Sequence, residues 1–358
     1  MPLASLEFHN LRIYEHALLE PDPHLNLISG ANASGKTTLL EAIHLLGTGR
    51  SFRTTQAEQL KRKGSLGLSI VGKLNGGGGE IVRLGMVHDL DGRKASINGL
   101  EQKTVSNLAL HLPLQVISPD THYDFQQNPK HRRGILDWGL FHVEPDFRRL
   151  WLRYQRILNQ RNAALKDRGQ TKTRHVWDEE LVEIGEKLHT SRVNQAEQLL
   201  PHYQTYCQQL LGGKQRVGLV LEPGWDSDTD FWECLRQDRA RDNARGFTHS
   251  GPQRADLQIT LNNQASKLAA SHGQFKVLVI ALRMAQVRNL HESGKRNCCL
   301  LIDDLAAELD SEHRARLTRL LETLPAQLFI TTTESVLIDR ESWKSHKEFH
   351  VEHGLLAI

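Results

Sequence analysis

Short apolar runs separated by turn residues occupy the first hundred positions of the chain. Most of these runs have the length of β-strands, and the glycines at 76–79 mark a hairpin-like turn. The strand-length runs are residues 3–14, 25–29, 66–74, 81–90 and 94–100. One stretch, residues 38–47, has the apolar spacing of a helix instead. The pattern predicts a strand-rich segment that carries one early helix.

Between about residues 130 and 210 the apolar spacing becomes helical. It falls into two stripes, which the polar residues 169–173 separate. The stripes are Leu150, Tyr154, Ile157 and Leu158, then Trp177, Leu181, Ile184, Leu188, Ala196 and Leu199. This spacing predicts a helical hairpin that is too short and too interrupted to be a long coiled coil.

The last third of the chain returns to strands and helices. Two strand-like runs flank a polar stretch, and an α/β alternation follows them. The predicted elements are strands at 217–224 and 257–264, a helix at 272–290, a strand at 298–303, a helix at 311–323 and a strand at 327–333. No internal repeat is apparent.

Composition excludes several classes of protein. At 358 residues, with 39% hydrophobic and 24% charged side chains, the chain can bury a sizeable core, so it is not a peptide hormone or a disulfide mini-protein. It has neither an apolar run long enough to span a bilayer nor the start of a signal peptide. The four cysteines form no metal or disulfide pattern, and we expect the 19 histidines to be solvated or packed. These features predict a cytoplasmic protein without a histidine metal site.

A phosphate-binding motif follows the third predicted strand. Residues 30–37 read Gly-Ala-Asn-Ala-Ser-Gly-Lys-Thr, which fits G-x4-G-K-[ST] and opens the predicted helix. In such a loop the backbone amides face phosphate, Lys36 reaches the outer phosphates and the Thr37 hydroxyl ligates Mg²⁺. The alternative is a glycine turn with an exposed lysine, which the strand and helix on either side disfavour.

Two carboxylates stand at the end of a second buried strand. Asp303 ends the apolar run that begins at Cys298, and Asp304 follows it directly. Asp303 is placed to hold Mg²⁺, and Asp304 to polarise the water that attacks the γ-phosphate. The alternative is a strand-end turn with two solvated acids.

The order of the remaining motifs resembles an ABC-type ATPase head. Ser271-His272-Gly273-Gln274 opens a helix before the Asp303 strand, and Glu308-Leu309-Asp310 follows it. Blocks at 51–54, 128–137, 251–257 and 300–310 are similar to those of the RecF family of bacterial DNA replication and repair proteins, in the SMC-like branch of these ATPases. The resemblance runs from end to end. It implies an α/β P-loop lobe from residues 1–120 and 270–358, with a mainly helical second lobe over 121–269 inserted into it.

The resemblance also implies roles for individual residues. Phosphate contacts fall on Gly30, Ala31, Asn32, Ala33, Ser34, Gly35, Lys36, Thr37 and Thr38, magnesium on Thr37 and Asp303, and catalysis on Asp304 and Lys36. Ser271, Gly273 and Gln274 correspond to the signature that touches the nucleotide of a second subunit. One P-loop and one signature per chain imply a head-to-tail homodimer around two ATP molecules. Alone, the Ser271 motif would be an ordinary helix N-cap.

Two departures from the general ABC pattern favour slow hydrolysis. Asp304 stands where a glutamate is usual, and threonines at 331–333 replace the usual switch histidine. We therefore expect a slow, DNA-stimulated ATPase that acts as a switch. Gln115 and Gln126 both fit the Q-loop position, and the sequence does not decide between them.

The most basic stretch of the chain is a candidate DNA surface. From Lys130 to Arg168 there are ten lysines or arginines and four acids. Arg149, Arg153 and Arg156 fall on adjacent helical turns, where they suit duplex phosphates; a solvated helix face is the alternative. Arg132 and Arg133 are either part of this surface or buried arginines that link the lobes.

The resemblance implies that ATP closes the homodimer on duplex, gapped or junction DNA at single-strand gaps or stalled forks. There, with RecR and RecO as partners, the protein would help load RecA and support the SOS response, and hydrolysis would release it. Three other classes of protein are weighed against this function. A transporter ATPase subunit would carry the missing glutamate and histidine, a small-molecule kinase would not need residues 271–274, and an ATP-gated scaffold would not hydrolyse ATP.

Overall fold

The computed structural model describes residues 1–76, 78–167, 176–213, 215–294, 297–304, 309–333 and 343–357. The chain forms two compact units. The first contains Met1–Thr121 and Leu290–Ile358, and the second contains His122–Asn289. The division into lobes at residues 120 and 270 stays a prediction, because the second boundary between the units falls inside a long helix, at Asn289.

The elements are numbered in chain order over the described residues. The strands are β1 (Leu3–Leu11), β2 (Tyr14–Leu19), β3 (Leu25–Ser29), β4 (Leu68–Asn75), β5 (Ile81–Asp89), β6 (Gly92–Ile97), β7 (Leu100–Glu101), β8 (Leu114–Ile117), β9 (Val217–Glu222), β10 (Asp256–Leu261), β11 (Gln264–Ala265), β12 (Cys298–Ile302), β13 (Ala326–Thr332), β14 (His346–Glu352) and β15 (Leu355–Ala357). The helices are α1 (Lys36–Thr48), α2 (Ser106–Ala109), α3 (Thr121–Gln127), α4 (Pro129–Val143), α5 (Phe147–Lys166), α6 (Asp178–Leu211), α7 (Phe231–Gln237), α8 (Arg239–Arg245), α9 (Ser266–Ala269), α10 (His272–Gly294) and α11 (Ser311–Glu322). A 3₁₀ turn covers Ala57–Leu60.

Two sheets build the first unit. One is antiparallel in the order β2-β1-β4-β5-β6-β7, and the other has the order β15-β14-β3-β13-β12-β8. In the second sheet β14, β3, β13, β12 and β8 are parallel. The carboxyl ends of these strands therefore meet at one edge, where α/β folds bind their ligands. The P-loop follows β3 and the paired acids follow β12, so both predicted motifs lie at that edge.

Helix α1 packs against strands of both sheets and joins their apolar faces into one core. A buried glutamine also connects the sheets. The side chain of Gln327 on β13 accepts from the backbone N–H of Leu3 at 2.8 Å and donates to the Leu3 carbonyl at 2.8 Å. Because a buried amide is stable only when it is hydrogen-bonded, this pair fixes how β1 meets the parallel sheet.

Helices dominate the second unit, together with a small antiparallel sheet in the order β11-β10-β9. The predicted hairpin is present as α5 and α6. Both predicted apolar stripes contribute to a shared core, except that Ala196 and Leu199 are buried on α6 outside that cluster. The connecting residues 169–173 lie outside the described part of the chain. The stretch interpreted as merely polar contains α7 and α8. Asp230 caps α7 by accepting from the Glu233 N–H at 2.6 Å, and Phe231 and Leu235 are buried.

The second unit contains a buried cluster of one arginine and two aspartates. The fully buried Arg161 guanidinium donates to Asp178 at 2.7 Å and to Asp242 at 2.7 Å. Asp242 also accepts from the backbone N–H of His249 at 3.0 Å. Two carboxylates around one arginine satisfy charges that would otherwise be costly to bury.

Asp242→Ala is expected to lower the free energy of unfolding of the second unit by about 3 kcal/mol, because it leaves Arg161 with less compensation in a dry environment. Urea unfolding followed by tryptophan fluorescence measures this, since five of the six tryptophans lie in the second unit. Glu183→Gln is the control, because its exposed pair with Lys187 contributes at most about 0.5 kcal/mol. Equal destabilisation by both changes would contradict this account.

The remaining predicted strands and helices are confirmed, apart from two runs that turns interrupt. Residues 12–13 separate β1 from β2 within the run 3–14, and residues 98–99 separate β6 from β7 within the run 94–100. Over the described part of the chain, no helix is both long enough and apolar enough to span a bilayer.

Candidate functional site

Tyr14 supports the loop between β3 and α1. Gly35 adopts φ 118°, and a Cβ at this position would lie 2.7 Å from the Tyr14 hydroxyl oxygen, so only glycine fits. The buried Tyr14 hydroxyl donates to the Gly35 carbonyl at 3.2 Å. Burial also raises the Tyr14 pKa, which keeps the hydroxyl protonated as a donor.

Lys36 and Ser34 place a cation and a hydroxyl inside the loop. The Lys36 ammonium donates to the carbonyls of Gly30 at 2.7 Å and Ala31 at 2.8 Å. Burial lowers the pKa of Lys36, and the nearby charges of Asp304 and Asp303 oppose that shift. The buried Ser34 hydroxyl has no hydrogen-bond partner among the described residues. A cation and an unused donor at a helix N-terminus fit a phosphate group.

Thr37 and Asp303 bring the two sequence motifs together. The Thr37 hydroxyl donates to the Asp303 carboxylate, with oxygen–oxygen distances of 2.9 and 3.1 Å. Neighbouring ligands in an octahedron with metal–oxygen bonds of 2.0–2.1 Å lie about 2.9 Å apart. A hydroxyl and a carboxylate at this spacing are a donor set that fits Mg²⁺.

Thr331 on the neighbouring strand β13 positions both acids. Its hydroxyl donates to Asp303 at 2.7 Å and accepts from the backbone N–H of Asp304 at 2.8 Å. Burial raises the pKa of Asp303, and the hydrogen bonds from Thr331 and Thr37 oppose that rise. Thr331, one of the three threonines at 331–333, thus keeps a buried carboxylate hydrogen-bonded.

Asp304 has an unusual backbone. Its φ of 53° lies in the left-handed region, which residues other than glycine seldom adopt. Such conformations cost about 1–3 kcal/mol and persist where the surrounding structure enforces them, often at functional sites. The hydrogen bond from the Asp304 N–H to Thr331 helps to enforce this one.

Sequence reasoning missed the supports of the site. Tyr14 gave no signal, and Thr331 was noticed only as a departure from a pattern. Glu41, fully buried on α1, accepts from Arg12 at 2.8 and 2.9 Å and from the Ser51 hydroxyl. Glu41, an acid inside an otherwise apolar helix, was the available signal, because a buried carboxylate needs such partners.

Ser271 and Gln274 cap α10 reciprocally in the second unit. The Ser271 hydroxyl accepts from the Gln274 N–H at 3.3 Å, and the Gln274 side chain accepts from the Ser271 N–H at 3.0 Å. The N-cap interpretation is therefore present in the geometry. It does not explain Gly273, which is exposed and where an added Cβ would meet no atom within 4 Å. The packing of this chain therefore does not require glycine at position 273.

Part of the basic stretch is internal. Arg132 is buried and pairs with Asp256 at 2.6 and 2.8 Å, and Arg133 donates to the Ala255 carbonyl at 2.5 Å. Arg161 is buried as well, and Arg168 lies outside the described residues. The structure thus gives Arg132 and Arg133 partners inside the second unit, and the arginine excess available to DNA is smaller than the sequence count.

The other arginines of this stretch form an exposed groove of about 490 Å³, which we call the arginine groove. Its lining residues are Pro145, Arg148, Arg149, Leu152, Arg153 and Arg156. Arg149 pairs with Asp146 at 3.1 Å, and Arg153 donates to Glu180 at 2.6 Å. These exposed pairs are weak, so phosphate can replace the carboxylates.

The remaining candidates have local roles or stay open. Asp310 caps α11 by accepting from the His313 N–H at 2.9 Å, and Glu308 lies outside the described residues. Gln115 is buried on β8 and Gln126 lies on α3. Which of these two glutamines belongs to the Q-loop stays a prediction.

Residues 2–353 match the family described as the RecF/RecN/SMC N terminal domain. A relative from Thioalkalivibrio sulfidiphilus, named "DNA replication and repair protein RecF", is 40% identical over all of this chain and 99% of its own length. A protein of the same name from Pseudomonas aeruginosa is 36% identical over all of this chain and 98% of its own.

Solved structures share the fold. One, described as "the recombination mediator protein RecF-ATP in RecFOR pathway", superposes with a TM-score of 0.86 at 24% identity, covering 99% of this chain and 97% of its own. A chain of "the SmcHead bound to the C-winged helix domain of ScpA" superposes at 0.61 and 16% identity, covering 99% and 96%. Both likenesses identify the ABC-type ATPase head with its inserted helical part as the architecture of this chain.

Proposed function

This chain belongs to the RecF/RecN/SMC N-terminal-domain family, and within it to the RecF proteins, and on that premise we propose that it is an ATP-dependent DNA-binding protein of recombinational repair and replication. The observation that carries the proposal is the hydrogen bond between Thr37 of the P-loop and Asp303 of the neighbouring strand. It joins the two halves of an ATP site in a chain whose relatives are named for DNA replication and repair.

The proposed ATPase chemistry follows from the geometry. The amides of residues 30–38 and the Lys36 ammonium hold the phosphates, and Thr37 with Asp303 holds Mg²⁺. When bound, Mg²⁺ neutralises charge that develops on the β- and γ-phosphate oxygens. Asp304 accepts the proton of the attacking water, while Thr331 fixes the backbone that presents it. An aspartate reaches less far than a glutamate, which supports slow turnover. We propose that bound DNA stimulates this turnover.

Closure of a homodimer explains why a glycine stands at position 273. The capping box fixes the N-terminus of α10, and the exposed Gly273 leaves room for a second molecule. We propose that Ser271, Gly273 and Gln274 contact the γ-phosphate held by the P-loop of a second copy. Two copies then enclose two nucleotides, and ATP stabilises the dimer because it binds both subunits at once.

The arginine groove is the proposed DNA surface. Arg149, Arg153 and Arg156 neutralise phosphates of duplex, gapped or junction DNA, which gives binding that depends on salt and not on sequence. A dimer presents two such grooves, so the second binds at high effective concentration. DNA affinity therefore follows the nucleotide state.

The proposed cellular role rests on relatives. A structural neighbour is described as a recombination mediator in the RecFOR pathway. We propose that this chain likewise acts with RecO and RecR at single-strand gaps or stalled forks in the cytoplasm, helps to load RecA and supports the SOS response. ATP hydrolysis would release it.

Two parallel measurements test the proposal. One is binding to duplex, gapped and single-stranded DNA with ATP, ADP or no nucleotide, and the other is the molecular mass from light scattering under the same conditions. ATP should double the mass and strengthen binding to duplex or gapped DNA, and Lys36→Met should abolish both effects. A nucleotide-binding monomer that ignores DNA would overturn the proposal. Phosphate transfer to a metabolite would then indicate a kinase, and association with a membrane protein a transporter subunit.

Thr331→Val is expected to lower ATP turnover about tenfold or more, because it removes the donor to Asp303 and the acceptor for the Asp304 N–H without changing the side-chain shape. Steady-state turnover at saturating MgATP measures the loss. The control is Thr205→Val, because Thr205 is exposed on α6 in the second unit and belongs to none of the site motifs. Parent-like turnover of the Thr331 variant would remove Thr331 from the site.

Replacing Arg149, Arg153 and Arg156 by glutamine is expected to weaken DNA binding uniformly across sequences. The plot of log affinity against log salt concentration should become less steep. Its negative slope should shrink in magnitude by about 2.7, because each lost phosphate contact contributes about 0.9. Fluorescence anisotropy in the ATP state measures the slope. Glutamine at the exposed Lys63, Lys73 and Lys103 is the charge-matched control. Equal slopes for the two triple variants would place the DNA elsewhere.

A further inference from the structure

Two histidines and a glutamate meet on the exposed face of the β1–β2 hairpin. His9 and His16 are direct partners across the antiparallel strands, and their rings stack with centroids 4.5 Å apart. Glu7 lies two residues before His9 on the same face of β1. All three side chains are about half exposed.

The three side chains converge on one point. The Glu7 Oε1 atom lies 3.1 Å from His16 Nε2 and 3.6 Å from His9 Nε2, and one ligand atom from each residue falls within 4.8 Å of the others. Ligands of a tetrahedral Zn²⁺ with bonds of 2.0–2.1 Å lie about 3.4 Å apart. Small rotations of the side chains therefore bring all three donors to coordination distance.

The geometry points to a binding site for Zn²⁺ or a similar divalent transition metal, held by Glu7, His9 and His16. Two imidazoles and one carboxylate are a ligand set that Zn²⁺ uses with water in the fourth position. Among the His, Cys, Asp and Glu side chains of the described residues, no other three bring their ligand atoms so close together. The sequence predicts that the histidines are mostly solvated or packed, and we propose His9 and His16 as exceptions.

Metal at this trio would act on the ATPase lobe through the hairpin. It would tie β2, an edge strand of the antiparallel sheet, to β1. Arg12, in the turn between these strands, pairs with Glu41 of α1. Tyr14, the first residue of β2, donates to the Gly35 carbonyl. Binding should therefore stabilise the first unit. The inference does not depend on the proposed function.

Titration of the untagged, nucleotide-free chain with Co²⁺ and Zn²⁺ tests the site. We expect one Co²⁺ per chain with the strong visible absorption of four-coordinate cobalt, displaced by Zn²⁺, and a rise in the melting temperature with Zn²⁺. His9→Ala and His16→Ala should abolish this absorption. Glu7→Gln should weaken binding about tenfold or more, because even partners outside the ligand shell contribute 10- to 100-fold.

His24→Ala is the matched control, since His24 is exposed in the same unit but outside the trio, and it should bind like the parent. Because the trio lies on the surface, circular dichroism of the metal-free variants should match the parent, which separates lost ligands from lost folding. Equal Co²⁺ binding by the parent and the His9 and His16 variants would overturn the site. So would six-coordinate spectra, or binding that His24→Ala removes equally.

Discussion

The Asp304→Asn chain is expected to hydrolyse ATP about 10²- to 10⁴-fold more slowly than the parent while it binds ATP with unchanged affinity. The amide keeps the size of the side chain but cannot accept the proton of the attacking water. Phosphate release under single-turnover conditions measures the step, and equilibrium binding of a fluorescent ATP analogue measures affinity.

Asp230→Asn is the matched control for this change. It makes the same replacement at the N-cap of α7 in the second unit, where asparagine also caps a helix well, so turnover should be unchanged. If the parent hydrolyses ATP and the Asp304 variant does so equally fast, the base lies elsewhere. If neither chain releases phosphate above the uncatalysed rate, the chain is an ATP-gated scaffold.

Ser271→Arg is expected to abolish the ATP-dependent doubling of mass while each chain still binds ATP through its own P-loop. The bulky cation occupies the place where the partner's nucleotide would meet the α10 N-terminus. Light scattering with a non-hydrolysable ATP analogue measures this. Thr190→Arg, which adds the same side chain to an exposed position of α6, should leave the dimer intact.

Gly273→Ala separates a lost partner contact from a damaged helix. Alanine is a better helix former than glycine and meets no atom of its own chain here, so the monomer should be no less stable. A weaker dimer would then report on the partner alone. If both variants dimerise like the parent, the head-to-tail arrangement is wrong.

Mixing two inactive chains tests the arrangement further. In a pair of Lys36→Met and Ser271→Arg chains, one site combines an intact P-loop with an intact signature, and the other combines both defects. Because neither variant dimerises with itself, only mixed dimers form. Each holds one intact site of two, so turnover should recover to as much as about half of the parent value. No recovery would indicate that each chain completes its own site.

Much of the fold could be predicted from the sequence because its signals are local. The period of the apolar residues distinguishes strands from helices, and Gly30, Gly35 and Lys36 have a spacing that few other structures require. The end of an apolar run similarly marks Asp303 as a strand-end carboxylate. Each of these signals lies within a few residues of the feature that it predicts.

The contacts that fix the site could not be predicted in this way. Tyr14 reaches Gly35 only because β2 folds back to pair with β1, and Thr331 reaches both acids only because β13 pairs with β12. The number of arginines in the basic stretch overstates the charge available to DNA for the same reason. A count of charges does not show that Arg161 is buried between Asp178 and Asp242. Contacts between segments that are distant in the sequence leave no pattern of neighbouring residues from which they could be predicted.

The strand order also determines when the ATP site can exist during protein synthesis. Thr37 and Asp303 are 266 positions apart, and β13, which lies between their strands, comes later still. At 5–20 residues per second, a ribosome needs roughly 15 to 50 s to pass from one to the other. Throughout that time β3 has made the P-loop but has no parallel neighbour. A nascent or truncated chain therefore exposes an unpaired apolar strand, which makes it a substrate for chaperones and proteases before it can become an ATPase.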